Sequence, residues 1–300
     1  MSFDIQMTRK AVMTDSGADL IPELIEKYSI KIVPFSVVLP DTDEVLKERI
    51  DITNEEYYER VINAKKHPHT SQPNPNDMVT IFKNLEKEGY EEILYITMAA
   101  SITGTYSTAH LARKTYEKDS GKAKIEIFDS FQASMAIGIQ AIKAVLLFEQ
   151  GLSMSDVIKE LEHFKMNELK STLTVESLKY LMKGGRVSKW RYAVGSLLGL
   201  VPCLEGTYHG TLEAFGAARS YEDAIKKIVD HAFNEIKNKE NLAIYIVTGK
   251  AEKGIKLTKE YLKNKYPEIK IIDTFPIGAA IFTHTGPGIV ALILFKYFDH

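Results

Sequence analysis

The stretch Ile102–His110, ITGTYSTAH, places five Thr, Ser or Gly residues among nine, one residue after the apolar run EEILYITMAA. In an α/β protein that is where a strand turns into a helix. Small hydroxyls, flexible backbone and a helix N-terminus together suit a phosphate, an oxyanion or a carboxylate. The stretch lacks the Gly-x-x-x-x-Gly-Lys-Ser/Thr spacing of a P-loop, and the chain has no Gly-x-Gly-x-x-Gly fingerprint, so a polyphosphate does not fit. A smaller anion on Ser101, Thr103, Gly104 and Thr105 does, with Ser/Thr capping of the next helix as the plain alternative.

Three other segments carry more polar or glycine content than packing requires. TDSGADL, Thr14–Leu20, ends the first apolar run, and there Ser16 either meets a ligand or, like Asp19, caps the following helix. His69, Thr70, Ser71, Gln72 and Pro73 lie in a proline-rich loop that suits either a binding-site wall or a surface connection. FTHTGPG, Phe282–Gly288, sets His284 before a stiff Gly-Pro-Gly turn that could aim one imidazole. A fifth feature, KGGRV, presents Arg186 after two glycines, where it could meet a phosphate or a partner's carboxylate.

No convincing catalytic set accompanies these residues. Gly-x-Ser-x-Gly and His-Glu-x-x-His are both missing. Asp15–Ser16 and Asp129–Ser130 are adjacent residues whose side chains alternate across a strand, so neither pair forms a relay. The single cysteine, Cys203, makes no intramolecular disulfide and suits a reducing compartment.

The elements that must position these groups alternate. Lys10–Thr14, Ile30–Leu39, Glu92–Thr97 and Lys124–Asp129 read as strands, with helices at 18–29, 53–64, 77–89, 106–118 and 134–151 between or after them. That alternation predicts an N-terminal parallel sheet flanked by helices. A helix over 155–167 bridges to a second half of different character, with strands at 169–175, 242–248, 270–275 and 288–295, helices at 221–237 and 253–266, and a hairpin around EGTYHG. The expectation is an α/β protein of two domains: residues 1–166, carrying the anion-binding loops, and residues 167–300, a C-terminal α/β domain.

Composition narrows the class. A net charge of −2, 45% hydrophobic and 26% charged residues describe an ordinary globular chain, with no basic surface for nucleic acid or anionic membrane. The first ten residues lack the apolar core of a secretory signal, and the longest apolar runs are too short to span a bilayer. A cytoplasmic protein without stable membrane insertion is expected.

Taken in order along the chain, TDSGADL, TSQPNP, ITGTYSTA, FDS, LMKGGRVS, LLGLVPCLEGTYHG and THTGPG resemble the DegV family of bacterial fatty-acid-binding proteins over nearly all of the sequence. The resemblance implies a DegV-like two-domain protein that binds a long-chain fatty acid in an inter-domain tunnel, without catalysis of its own and without a cofactor or metal. It implies a carboxylate held by Thr70 and by Thr103, supported by a network near His284. It further implies presentation of that carboxylate to the catalytic subunit of a fatty acid kinase, with Arg186 facing the partner. The C-terminal half would line the acyl tunnel, with RYAVGSLLGLVPCL as lid or lining. Where the family commonly has Ser-Ser-x-Leu-Ser-Gly-Thr, this chain reads Ala99, Ala100, Ser101, Ile102, Thr103, Gly104, Thr105. Threonine keeps the hydroxyl and narrows the head-group space. The rival readings are a small-molecule phosphotransferase or hydrolase using His284, and a regulatory module for some other carboxylate.

Overall fold

The structure is a computed structural model that describes residues 8–39, 42–185 and 199–300. The first half runs β1 (Lys10–Asp15), α1 (Pro22–Lys27), β2 (Lys31–Val33), β3 (Ser36–Val38), β4 (Val45–Lys47), α2 (Asn54–Asn63) and β5 (His69–Ser71). It continues with α3 (Pro75–Lys87), β6 (Glu92–Thr97), α4 (Thr105–Lys118), β7 (Lys124–Asp129), α5 (Met135–Glu149) and α6 (Met154–Asn167). The second half comprises β8 (Leu169–Thr174), α7 (Leu178–Gly184), β9 (Val201–Gly206), β10 (Leu212–Ala218), α8 (Tyr221–Glu235), β11 (Leu242–Gly249), α9 (Glu252–Lys265), β12 (Lys270–Pro276), α10 (Ala279–Thr285) and β13 (Ile289–Lys296).

The central strands β1 and β6 are each buried at all but their first residue, the pattern of a sheet covered on both faces. With β2 and β7 they form a four-stranded parallel sheet in the order β2-β1-β6-β7. The second sheet, β10-β9-β8-β13-β11-β12, is antiparallel except for the β11–β12 pair. Helix α5 is apolar nearly all round because it has no solvent face to offer along much of its length. It packs on β1 and β6 of the first sheet and reaches β8 of the second. Several helices start where the sequence provides a cap: Thr53, Ser153 and Ser220 each accept from the backbone N–H three residues on.

Three local expectations change. The single strand Ile30–Leu39 is cut in two at Pro34, which has no N–H to continue a ladder. β2 stays in the parallel sheet, while β3 leaves to form a small antiparallel sheet, β4-β3-β5. The proline-rich loop accordingly contains a strand, with Thr70 opposite Val37. The helix expected over 18–29 starts only at Pro22. A 3-10 turn, Ser16–Ala18, and a left-handed Asp19 (φ 52°) precede it. Finally, His284, expected only ahead of the Gly-Pro-Gly turn and the last strand, sits in the last turn of a short helix, α10.

Candidate functional site

A cavity of about 330 Å³ lies between the two sheets. The first half contributes residues from Phe35, Thr70, Gln72 and the loops that follow β6 and β7. The second half contributes β8, the β9–β10 hairpin, α10 and one face of β13, namely Ile289, Ala291 and Ile293. That i, i+2, i+4 spacing turns three apolar side chains to one side of the strand. Among the described residues, no Asp, Glu, Lys or Arg lines the cavity. Its polar groups are hydroxyls, two glutamine amides and one imidazole.

Several of them meet where the two halves face each other. Thr70 Oγ1 and His284 Nε2 are 2.8 Å apart, joining β5 of the first half to α10 of the second. With the proton on Nε2, the imidazole donates to Thr70 and leaves the hydroxyl hydrogen of Thr70 for a guest oxygen. Thr103 Oγ1 stands 3.1 Å from Thr105 Oγ1, one donating to the other. Helix α4 is capped by Gly104 without a side-chain bond, so the hydroxyls are not consumed in capping. The backbone N–H groups of Ala99, Ile102 and Thr103 donate to Gln132 O, Ala99 O and Ala99 O, and that of Ala100 donates to the Asp129 carboxylate. These four amides are therefore occupied. Ser101, Gly104 and Gln72 are exposed, so this end opens to solvent.

Glycine makes the imidazole's seat. A Cβ on Gly184, at the end of α7, would stand 2.4 Å from His284 Nδ1. The first glycine of KGGRV thus serves close packing of α7 on α10, while the second, Gly185, adopts φ 68° as the helix C-cap.

Of the residues singled out in the sequence, Thr70, Ser101, Thr103, Gly104 and His284 share the cavity wall. Thr105 is buried behind Thr103, and Ser71 is exposed on β5 without facing the cavity. Ser101 donates its hydroxyl to Gly210 O in the β9–β10 hairpin, which ties the loop to the second half. Arg186 and residues 191–198 of the proposed lid lie outside the described residues; of its remainder, Val201–Leu204 belongs to β9. Gln72, named with its loop, is on the wall, whereas sequence reasoning missed Gln132 and Ser171, which are there too. Isolated polar residues of this kind carry no spacing signal.

It also missed a buried acidic cluster. Ser16 and Asp19 do not cap α1, whose N-cap is Ile21. Ser16 donates to the Glu48 carboxylate and its Oγ accepts from Phe35 N at 2.9 Å. Asp19 accepts from Ser134 Oγ and, at 2.8 Å, from Gly278 N, with Arg49 Nη2 3.7 Å away. Glu48 accepts from Ala280 N at 3.0 Å. Asp15 accepts from Met98 N at 2.9 Å. Burial pushes the Asp15 and Asp19 carboxyls up to about 7, although Met98 N–H and Arg49 respectively pull the other way. The cluster fastens the start of α10 to the first half, and Gly278 is required there because a Cβ would meet Glu48 Oε1 at 2.4 Å. Among the described residues, no group of His, Cys, Asp or Glu could hold a metal ion, and no helix is long and apolar enough to cross a membrane.

Comparison with known proteins agrees with this architecture. The sequence model described as "Uncharacterised protein, DegV family" matches residues 9–297, and the chain belongs to that family. A Thermotoga maritima relative named "Fatty acid-binding protein" is 31% identical over 280 residues, covering 93% of this chain and 95% of its own. The crystal structure of a stearic acid-binding protein from Eubacterium ventriosum superposes with a TM-score of 0.86 at 26% identity, covering 96% of this chain and 98% of that one. The Fatty Acid Kinase (Fak) B3 protein of Streptococcus pneumoniae, loaded with linoleic acid, gives a TM-score of 0.82 over 97% of this chain and all of that one. At 21% identity, that likeness is one of fold.

Proposed function

We propose that this DegV-family protein is a cytoplasmic, non-catalytic carrier of a long-chain fatty acid, which lies in the cavity between residues 1–166 and 167–300. The hydroxyls of Thr70 and Thr103 hold the carboxylate at the open end, with His284 behind Thr70. The carrier offers that carboxylate to the catalytic subunit of a fatty acid kinase for conversion to acyl phosphate, and Arg186 faces the partner.

One observation carries the reading: a half-buried Thr70–His284 pair at 2.8 Å opens onto a cavity whose described lining contains no protein carboxylate. Burying the tail stabilises the complex by about 0.8 kcal/mol per methylene, against an association cost of about 4–15 kcal/mol. An anionic head in an apolar cavity would be prohibitive without donors, and hydroxyls supply them without a fixed cation. A head group held by neutral donors at an exposed rim keeps an oxygen accessible to a phosphoryl donor. The names of the relatives support the ligand class, and the kinase protein supports the partner at the level of fold.

The test is denaturing extraction of the purified protein followed by mass spectrometry, and then incubation with a fatty acid kinase catalytic subunit and ATP. A co-purified fatty acid, and acyl phosphate formation that Arg186→Ala slows without reducing acyl content, are expected. A protein that neither carries nor takes up fatty acid refutes the carrier. Normal acyl phosphate formation by Arg186→Ala refutes the docking role.

A further inference from the structure

At the level of Ser171, well inside the cavity, stands a second polar feature. Gln132 is only 3% exposed and lines the cavity. Its main chain is fixed: the N–H donates to Ser130 Oγ at 3.1 Å, and the carbonyl accepts from Ala99 N at 2.9 Å. Its side chain is held at one end only, where Oε1 accepts from Ser171 Oγ at 2.7 Å. Nε2 makes no hydrogen bond to a described residue, and it is not among the sealed side-chain atoms left unpaired. The hairpin makes room for the pair, because a Cβ on Gly206 would stand 2.3 Å from Ser171 Oγ and 3.1 Å from Gln132 Oε1.

Relative to the end of α10, this feature lies at another level of the second sheet. In the β8–β13 ladder Ser171 pairs with Ile293, whereas α10, which carries His284, enters β13 at Ile289 through a short turn. Four residues of strand separate those levels, about 13 Å at the usual rise of about 3.3 Å per residue. Between them the strand shows the cavity only Ile289, Ala291 and Ile293. A plain hydrocarbon tail would lie against the Gln132 amide and leave its donors unmet.

We infer that Gln132, oriented by Ser171, is a specificity-determining site for an oxygen-bearing acyl chain, a hydroxy- or oxo-fatty acid. The inference rests on the carrier reading and names its ligand class more narrowly. Ser171 fixes the amide rotamer, so the donor is pre-aimed and little freedom is lost when a chain oxygen arrives.

The experiment uses the full chain, stripped of lipid, and compares stearic acid with a panel of its positional hydroxy isomers in direct binding titrations. At least one isomer should bind wild type roughly three- to tenfold tighter than stearic acid, the range of one net hydrogen bond. Gln132→Met keeps length and volume, and should erase that advantage while holding stearic acid at least as well. Ser171→Ala, a milder change, should reduce the advantage and serves if Gln132→Met folds poorly. An isomer panel that never outcompetes stearic acid overturns the inference, as does an advantage that survives both variants. Equal weakening of every acid by Gln132→Met also overturns it, since that would place Gln132 at the carboxylate. Wild type that binds none of the acids refutes the carrier reading itself, whereas tight, indiscriminate binding refutes only this site.

Discussion

Helix α10 meets carboxylate chemistry at both of its ends, and the two ends differ in whose carboxylate it is. At the N-terminal end, Gly278 N and Ala280 N donate to Asp19 and Glu48, which Ser134 and Ser16 complete with hydroxyls. At the C-terminal end, His284 backs the Thr70 hydroxyl, and no acidic side chain among the described residues reaches the cavity. One end is a closed lock made wholly of protein atoms. The other repeats the hydroxyl chemistry and omits the anion. Donors already satisfied by the chain hold the halves together, whereas the Thr70 and Thr103 hydroxyls line the cavity. A fixed guanidinium, as Arg49 supplies beside Asp19, would grip a carboxylate more strongly; among the described residues the cavity offers only neutral hydroxyls, two glutamine amides and an imidazole.

The comparison breaks first at the lock. Asp19→Ala leaves Gly278 N and Ser134 Oγ without their acceptor, and Arg49 without its ion-pair partner, in a fully buried place. Removing one member of such a buried charged network costs about 3–5 kcal/mol. The urea midpoint should drop accordingly, while the folded fraction still binds acyl chains. A loss below about 1 kcal/mol, the scale of an exposed ion pair, would show that the lock does not hold the halves.

How much of this contrast is legible in the sequence differs between the two ends. That Thr70, Thr103 and His284 would come together on one cavity wall is readable, because they sit in segments too rich in hydroxyl and glycine for packing alone. The lock is not. Glu48 lies in a charged stretch, DEVLKERI, that looks like a solvated surface, and only the departure of β3 from the main sheet at Pro34 brings it under α10. Asp19 sits where a helix cap is ordinary, and its left-handed backbone turns the carboxylate inward instead. The parallel first sheet follows from periodicity. The antiparallel second sheet depends on pairings far apart in sequence, such as β8 with β13, and periodicity does not specify partners. Helix α10 is hidden by its own ending, since THTGPG advertises a turn and conceals the short helix before it.

A subtler break uses protons. In the unfolded chain Asp15 and Asp19 titrate near the ordinary aspartate value of about 3.9, whereas in the fold burial raises both to about 7. Between about pH 4 and pH 7 the folded state keeps protons that the unfolded state has lost. Stability from these two groups is therefore greatest at the acid side and declines as pH rises, levelling off above about 7. Urea midpoints measured from pH 5 to 8 should fall more steeply for wild type than for Asp15→Asn, which cannot ionise. Identical pH slopes in the two proteins would mean that Asp15 is ionised throughout and that the lock is charged.

The smallest expected effect lies at the guest end, and it sharpens the comparison most. Thr103→Val preserves the branched shape and replaces the hydroxyl by a methyl. It costs Thr105 a hydrogen-bond partner 3.1 Å away and costs a guest carboxylate one donor. A single net hydrogen bond is worth about 1 kcal/mol, so fatty acid affinity should fall roughly fivefold. Thermal stability should scarcely move, because Thr103 is half-buried at an open rim and the lock lies elsewhere. The two readouts separate here in the opposite sense from Asp19→Ala, where stability falls and intrinsic binding persists. If Thr103→Val retained fatty acid unchanged, the carboxylate would not rest on that hydroxyl, and the guest end would narrow to Thr70 and His284. If it lost stability instead, Thr103 would belong to the protein's own bonding, and the distinction between lock and guest site would fail at that residue.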